Sequence, residues 1–237
     1  MSYANLFSMY TELKSLLNIE VEELDNFLQE GWFRMQQSIF TTDKELFGNL
    51  LYDTIWLRVR LSDFQQDKKY IVLNKKNSQF KTEIKKAVIT SKHEALFSRY
   101  KESKSFEKSP SLQWLLLGDK SYNVYNTYML DVYDRNQMIG TGFFDLGKNS
   151  AAGICSIYDP DYKTYGLGKY MIYEKMLYCK SNKFRYFYPG YFVPGYPPFD
   201  YKLGIGKPAL EYFDSYKREW LSISALSLSD YIPAFIC

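Results

Sequence analysis

Two short runs of this chain hold the residues best suited to chemistry. They are Ile157-Tyr-Asp-Pro-Asp-Tyr-Lys-Thr-Tyr-Gly-Leu-Gly-Lys-Tyr170 and Phe184-Arg-Tyr-Phe-Tyr-Pro-Gly-Tyr191. The first reads as a strand end, a turn, a glycine-punctuated loop and a helix start. Gly166, Leu167, Gly168 and Lys169 would then present backbone N–H groups at the positive end of a helix dipole. An anion, or the polarised carbonyl of an activated acyl group, binds at such a junction; an ordinary helix-opening turn is the plainer use of it. Asp159 and Asp161 flank Pro160. A carboxylate there would orient an incoming ammonium or take its proton, while an Asx turn is the structural alternative. Tyr188, Tyr191 and Tyr201 would stack on a nucleobase or line a side-chain pocket, although packing is the default role in a chain with 23 tyrosines. Lys202 is suited to a phosphate.

What the chain lacks narrows the chemistry. Its one histidine, His93, falls inside Ser91-Lys-His-Glu94, which reads as a capping box and places His93 at the surface. Ser-His-Asp and Cys-His mechanisms are therefore disfavoured. The cysteines Cys155, Cys179 and Cys237 are widely separated and form no Cys-x-x-Cys, so no zinc or redox motif is read and no metal is expected. An odd count without a leader-like N-terminus points to a reducing, cytoplasmic setting. No run approaches the roughly 20 apolar residues of a membrane span. Net charge is only +3. Locally, Arg58 to Lys86 holds nine Lys or Arg against three acids. Arg58, Arg60, Lys68, Lys69, Lys75 and Lys76 are its candidate nucleic-acid contacts, with a solvated Lys-rich face as the alternative.

The elements that must position these residues are legible from periodicity. Val21, Leu24, Phe27 and Leu28 recur at helical spacing and Gly31 stops them. Trp32 to Phe40 reads as a strand. Ile55, Leu57, Val59 and Leu61 alternate with Trp56, Arg58 and Arg60, which predicts a strand with two distinct faces. Lys101 to Ser111 is polar and marks a boundary or mobile loop. Beyond it, 124–133, 138–146 and 151–158 read as successive strands joined by turns at 134–137 and 147–150. A helix over 168–181 and a strand over 185–188 follow, the latter broken by Pro189-Gly190. Pro194 to Pro198 forbids regular structure, and Pro208 suits the first turn of a helix reaching about Trp220. Strands, helix, strand, loop, helix is the order of the GNAT acyltransferase core. The expected fold is therefore α/β (α+β): a mixed, mainly antiparallel sheet flanked by helices over 111–237, with a smaller N-terminal α+β region over 1–110.

From Met129 to Trp220 the order of motifs resembles the aminoacyl-tRNA–protein transferases, the arginyltransferases of eukaryotes and the bacterial leucyltransferases. Ser156-Ile-Tyr-Asp-Pro-Asp161, Gly166-Leu-Gly168 with Tyr170, Tyr186-Phe-Tyr-Pro-Gly-Tyr191 and Phe199-Asp-Tyr-Lys202 with Pro208-Ala-Leu-Glu211 carry the resemblance. Gly31-Trp-Phe-Arg34 and Leu57-Arg-Val-Arg60 are fainter matches. The family usually has an N-terminal cysteine cluster, and the corresponding stretch here, Ile39 to Asp53, has no cysteine. The resemblance implies transfer of an amino acid, of the arginine or leucine class, from aminoacyl-tRNA to the free and acidic N-terminus of a protein. Such a transferase would serve the N-degron pathway of protein degradation. It implies no cofactor beyond the charged tRNA. Under it, Asp159, Asp161, Tyr188 and Lys202 would be catalytic, and the 166–169 amides with Tyr191 and Tyr201 would bind substrate. The basic residues would bind tRNA. A coenzyme A-dependent N-acetyltransferase and a non-catalytic binding module on the same fold are the alternatives.

Overall fold

A computed structural model describes residues 11–104 and 109–235. Among them, eight strands form one sheet, and sequence alternation accounts for its centre. The strands before residue 110 are β1 (Thr11–Ser15), β2 (Phe33–Met35), β3 (Ser38–Thr42), β4 (Lys44–Phe47), β5 (Leu50–Asp53), β6 (Ile55–Arg60) and β7 (Lys81–Lys86). Those after it are β8 (Thr127–Asp134), β9 (Gln137–Leu146), β10 (Ser150–Tyr158), β11 (Tyr186–Phe192), β12 (Leu210–Asp214), β13 (Glu219–Ser222) and β14 (Ala234–Phe235). The main sheet runs β13-β12-β6-β11-β10-β9-β8-β7, flanked by the small sheets β1-β3-β2 and β14-β5-β4. Strands from both sides of residue 110 share the main sheet, so the expected division there is not a division of the sheet. Within it, β10 and β11 pair in parallel, while their neighbours pair antiparallel.

Helices cover both faces. On one lie α2 (Lys68–Asn77) and α5 (Leu167–Ser181). Tyr170, Met171, Tyr173 and Met176 of α5 are buried there with Val59, Leu130, Ile139 and Phe187 of the sheet. On the other lie α1 (Val21–Gln29), α3 (Ser91–Glu102) and α4 (Leu112–Leu117), packed on Trp56, Met129, Phe143, Ala152, Ile157 and Tyr188. β6 shows why both layers form. Ile55, Leu57, Val59 and Leu61 face the α5 layer and Trp56 the α1 layer. Each large side chain so removed from water contributes about 1.5–3 kcal/mol before entropy is counted.

Several expectations are corrected. The Trp32–Phe40 strand is a hairpin of β2 and β3, turned at Gln36 with φ 56°. The capping box of α3 begins one residue earlier, at Thr90, whose N–H donates to Nδ1 of His93. Glu94, freed from that role, accepts from the N–H groups of Leu112 and Gln113 and ties α4 to α3. His93 is not a surface residue: it is 2% exposed and its Nε2 meets Asp131 at 3.2 Å. β11 continues through Pro189-Gly190 instead of stopping there. The helix expected over 208–220 is the hairpin β12–β13. Asp214 accepts from the N–H groups of Tyr216 and Lys217, an Asx turn that overrides the helical reading. Cys237 lies outside the described residues.

Candidate functional site

The site is created where β10 and β11 separate. They pair only over Ser150–Ala152 and Tyr186–Tyr188. β10 then bulges between Gly153 and Cys155 against β9, and β11 shifts register between Phe187 and Gly190 against β6. Pro189 has no N–H to give a ladder, and Gly190 takes φ +85°, so the strand turns away at that point. The gap opens into a cleft of about 1160 Å³, floored by 153–156 on one wall and Phe187 and Pro189 on the other. Its rim comes from β4 and the following turn (Glu45, Phe47, Gly48), α3 (Tyr100 and the adjacent Lys104) and the Pro197–Gly204 3-10 turn.

The helix-opening junction lies at this cleft. Gly166 adopts φ +66° as the N-cap of α5, a left-handed conformation that glycine takes without a Cβ clash. Gly166, Gly168 and Lys169 line the cleft, whereas the Leu167 side chain is buried in the core, leaving its amide as its contribution. A Cβ on Gly168 would meet Tyr158 Cε1 at 3.4 Å, an ordinary contact. The first N–H groups of α5 have no intrahelical acceptor and are available to a ligand.

Three lysines line the cleft without a carboxylate partner among the described residues: the exposed Lys169, and Lys175 and Lys202. Lys202 Nζ donates to the Tyr191 carbonyl at 2.6 Å and lies 5.5 Å and 5.1 Å from the Tyr191 and Phe199 ring centres. Desolvation pulls its pKa down to about 7. Lys175, from α5, is 1% exposed. Its Nζ donates to the Cys155 carbonyl at 3.1 Å and Ser156 Oγ at 3.2 Å, bonds that tie α5 to the bulged strand. Burial lowers its pKa to about 8. On the rim, Glu45 accepts from Tyr191 Oη at 3.1 Å, and burial raises its pKa above the carboxylate norm. The same burial, with Glu45 close by, raises that of Tyr191.

Of the residues named from sequence, the structure gathers Gly166, Gly168, Lys169, Tyr201 and Lys202 around the cleft. Tyr191 stands behind it, stacked on Phe199 with ring centres 5.6 Å apart. Others lie elsewhere. Asp159 is buried and accepts from Arg99 Nη1 at 2.7 Å and from its own turn at the Asp161 N–H. Asp161, outside the cleft, meets Arg99 Nη2 at 2.8 Å. Both carboxylates thus fix the turn before Gly166 to α3. Tyr188 faces the opposite side of the sheet, against Trp220. Arg58 is no surface contact: it is 8% exposed, held by Glu211 at 2.6 Å and stacked on Tyr186 and Trp220. Arg60 also binds Glu211. Lys68, Lys69, Lys75 and Lys76 are exposed on α2. That helix packs beside the junction, with Lys76 Nζ donating to the Thr164 carbonyl and Asn77 Nδ2 to that of Tyr165.

Sequence reading missed Glu45 and Lys175. A lone lysine in a helix gives no local sign of burial, and Glu45 meets Tyr191 only through the fold. Among the described residues no three His, Cys, Asp or Glu side chains gather as metal ligands. Ile39 to Asp53 offers no thiolate to a metal cluster; instead Phe47 of β4 stacks on Tyr196 with ring centres 4.0 Å apart and planes 4° from parallel. No helix among the described residues is long and apolar enough to cross a membrane.

Comparison with known proteins shows the family of the chain. An aspartate/glutamate leucyltransferase of Leptospira interrogans is 30% identical over 172 residues, covering 65% of each chain. This chain thus spans just under two thirds of that relative's length. An aspartate/glutamate leucyltransferase of Helicobacter hepaticus is 27% identical over 184 residues, 74% of this chain and 73% of its own. Among solved structures, FemX aligns with a TM-score of 0.46 at 9% identity, covering 84% of this chain and 71% of its own. A GCN5-related N-acetyltransferase of Kribbella flavida aligns at 0.37 and 9%, covering 75% and 60%. Both structural likenesses are too remote to argue from. The family model described as "Arginine-tRNA-protein transferase, C terminus" matches residues 68–209, more than half of the chain and including both walls of the cleft. The chain belongs to that arginine-tRNA–protein transferase family.

Proposed function

We propose that this protein transfers an amino acid from aminoacyl-tRNA to the α-amine of a protein whose first residue is acidic. The observation that carries this reading is the opening of β10 and β11 onto the first amides of α5, with a basic helix alongside. The site residues and their roles given below are part of the same proposal.

The reaction is aminolysis of an ester. The amine nitrogen forms a bond to the aminoacyl carbonyl carbon, and the bond from that carbon to the terminal ribose oxygen breaks. The amine loses one proton and the departing ribose oxygen gains one. Because the ester is already activated, no covalent enzyme intermediate is required, and alignment of the two ends does most of the work. A free α-amine has a pKa of about 7.7–8.0, so part of it is neutral near pH 7. The amides of Leu167, Gly168 and Lys169 bind the terminal phosphate or the developing oxyanion. Lys175 holds the bulged wall in place, and the aromatic rim of Phe47, Tyr196 and Phe199 closes over the aminoacyl end. Lys68, Lys69, Lys75 and Lys76 carry the acceptor stem. A cytoplasmic setting, with charged tRNA and no added cofactor, is part of the same proposal.

The reading is tested by donor-dependent stabilisation. Leucyl- or arginyl-tRNA at a hundredfold excess over its dissociation constant would stabilise the fold by about 2.7 kcal/mol, in a salt-sensitive manner. Stabilisation by acetyl-CoA and not by charged tRNA would contradict it.

A further inference from the structure

Resting on that reading of the cleft, we infer that Glu45 and Lys202 read the first residue of the acceptor, Glu45 facing its α-ammonium and Lys202 its side-chain carboxylate. Both groups hang on Tyr191, at opposite ends. The Tyr191 hydroxyl donates to Glu45 Oε2 at 3.1 Å, and the Tyr191 carbonyl accepts from Lys202 Nζ at 2.6 Å. One tyrosine therefore holds a carboxylate and an ammonium apart, farther than an ion pair allows, in the same cleft. Neither has an oppositely charged partner within ion-pair distance among the described residues.

Each group is destabilised by its surroundings in its charged form. Burial shifts Glu45 up and Lys202 down. A ligand that brings a cation to one and an anion to the other relieves both. An N-terminal aspartate or glutamate carries that pair of charges within a single residue. A neutral first residue would leave the Lys202 ammonium desolvated and unmatched, which is how such a site rejects it. The placement of Lys202 is itself built in. A Cβ on Gly190 would come within 3.3 Å of Nζ, and Gly190 sits at φ +85°, where a side chain is strained. Glycine lets the backbone of β11 approach the ammonium. The competing occupant for Lys202 is a phosphate of the donor, which has the same charge but arrives with the tRNA.

The test is the rate of labelled leucine or arginine transfer to two peptides that differ only in a first residue of Asp or Asn. Wild type, Lys202→Met, Lys202→Arg and Glu45→Gln are compared, with folding of each checked by thermal melting. Wild type is expected to prefer Asp. Lys202→Met is expected to cut the Asp-to-Asn ratio on the order of 10- to 100-fold with the KM for charged tRNA unchanged, and Lys202→Arg to keep most of the preference. Glu45→Gln is expected to raise the peptide KM for both peptides alike. Equal slowing of both peptides by Lys202→Met, or a rise in the tRNA KM instead, overturns the inference and leaves the transferase reading standing. A wild type indifferent to Asp and Asn overturns the inference together with the acidic-acceptor part of that reading, and leaves tRNA-dependent transfer. A wild type that transfers to neither peptide from either charged tRNA overturns that reading as well.

Discussion

Gly168 lies on the cleft wall with room for one methyl group, since a Cβ there would sit 3.4 Å from Tyr158. Gly168→Ala is therefore expected to retain most transfer activity. Gly168→Asp, which sets a carboxylate beside the α5 amides, is expected to lower it at least about a hundredfold, of the order found when electrostatic donors at such sites are lost. Unchanged melting temperatures for both variants would localise the effect to the site. Lys202 gives a second prediction through pH. Its folded pKa of about 7 lies below its unfolded value near 10.5. Between those values the unfolded chain binds more protons, so stability rises with pH across that window. The destabilisation by Lys202 is complete below pH 7 and fades toward pH 10.5. Lys202→Met should thus melt higher than wild type at pH 6, with the gap narrowing by pH 9.5; a gap that widens with pH would contradict the account.

At the scale of elements, buried ionic contacts tie β2 to β9 and β12 to β6. Arg34 of β2 meets Asp145 of β9 at 2.9 Å, both nearly devoid of solvent contact, and also donates to Thr127 at 2.9 Å. Glu211 of β12 takes Arg58 and Arg60 of β6. Removing one partner strands the other charge. Asp145→Asn should therefore lower unfolding free energy by about 3–5 kcal/mol in urea titration, while Asp161→Asn, whose carboxylate is largely exposed, should cost under about 1 kcal/mol. These pairs also show what local sequence could convey. Alternation in β6 and β8–β10, the turn at 134–137 and the glycine-bearing start of α5 were legible because each is set within a few residues. The junction was found for that reason. Arg58 read as a surface base because its partner Glu211 is 153 residues away. Glu45 escaped notice because Tyr191, 146 residues on, gives it its role. The β12–β13 hairpin was mistaken for a helix because Pro208 satisfied a helix-start rule, while Asp214 closed a turn that the rule does not weigh.

Across the whole molecule, the two halves of the chain meet in one sheet, and the cleft draws its walls from the second half and much of its rim from the first. Of the exposed lysines of α2, Lys76 is tied to the turn before Gly166, which sets that helix beside the junction. Replacing Lys68, Lys69, Lys75 and Lys76 by alanine is expected to weaken charged-tRNA binding and to make its log–log salt dependence shallower by roughly 0.7–0.9 per lost contact. An unchanged slope would move the tRNA to another surface. The most direct measurement is single-turnover incubation of the intact protein with leucyl- and arginyl-tRNA labelled in the amino acid, together with a peptide beginning in aspartate. The account predicts label joined to the peptide α-amine in step with release of uncharged tRNA. Release of free labelled amino acid with an unmodified peptide, or no consumption of either charged tRNA, would contradict it.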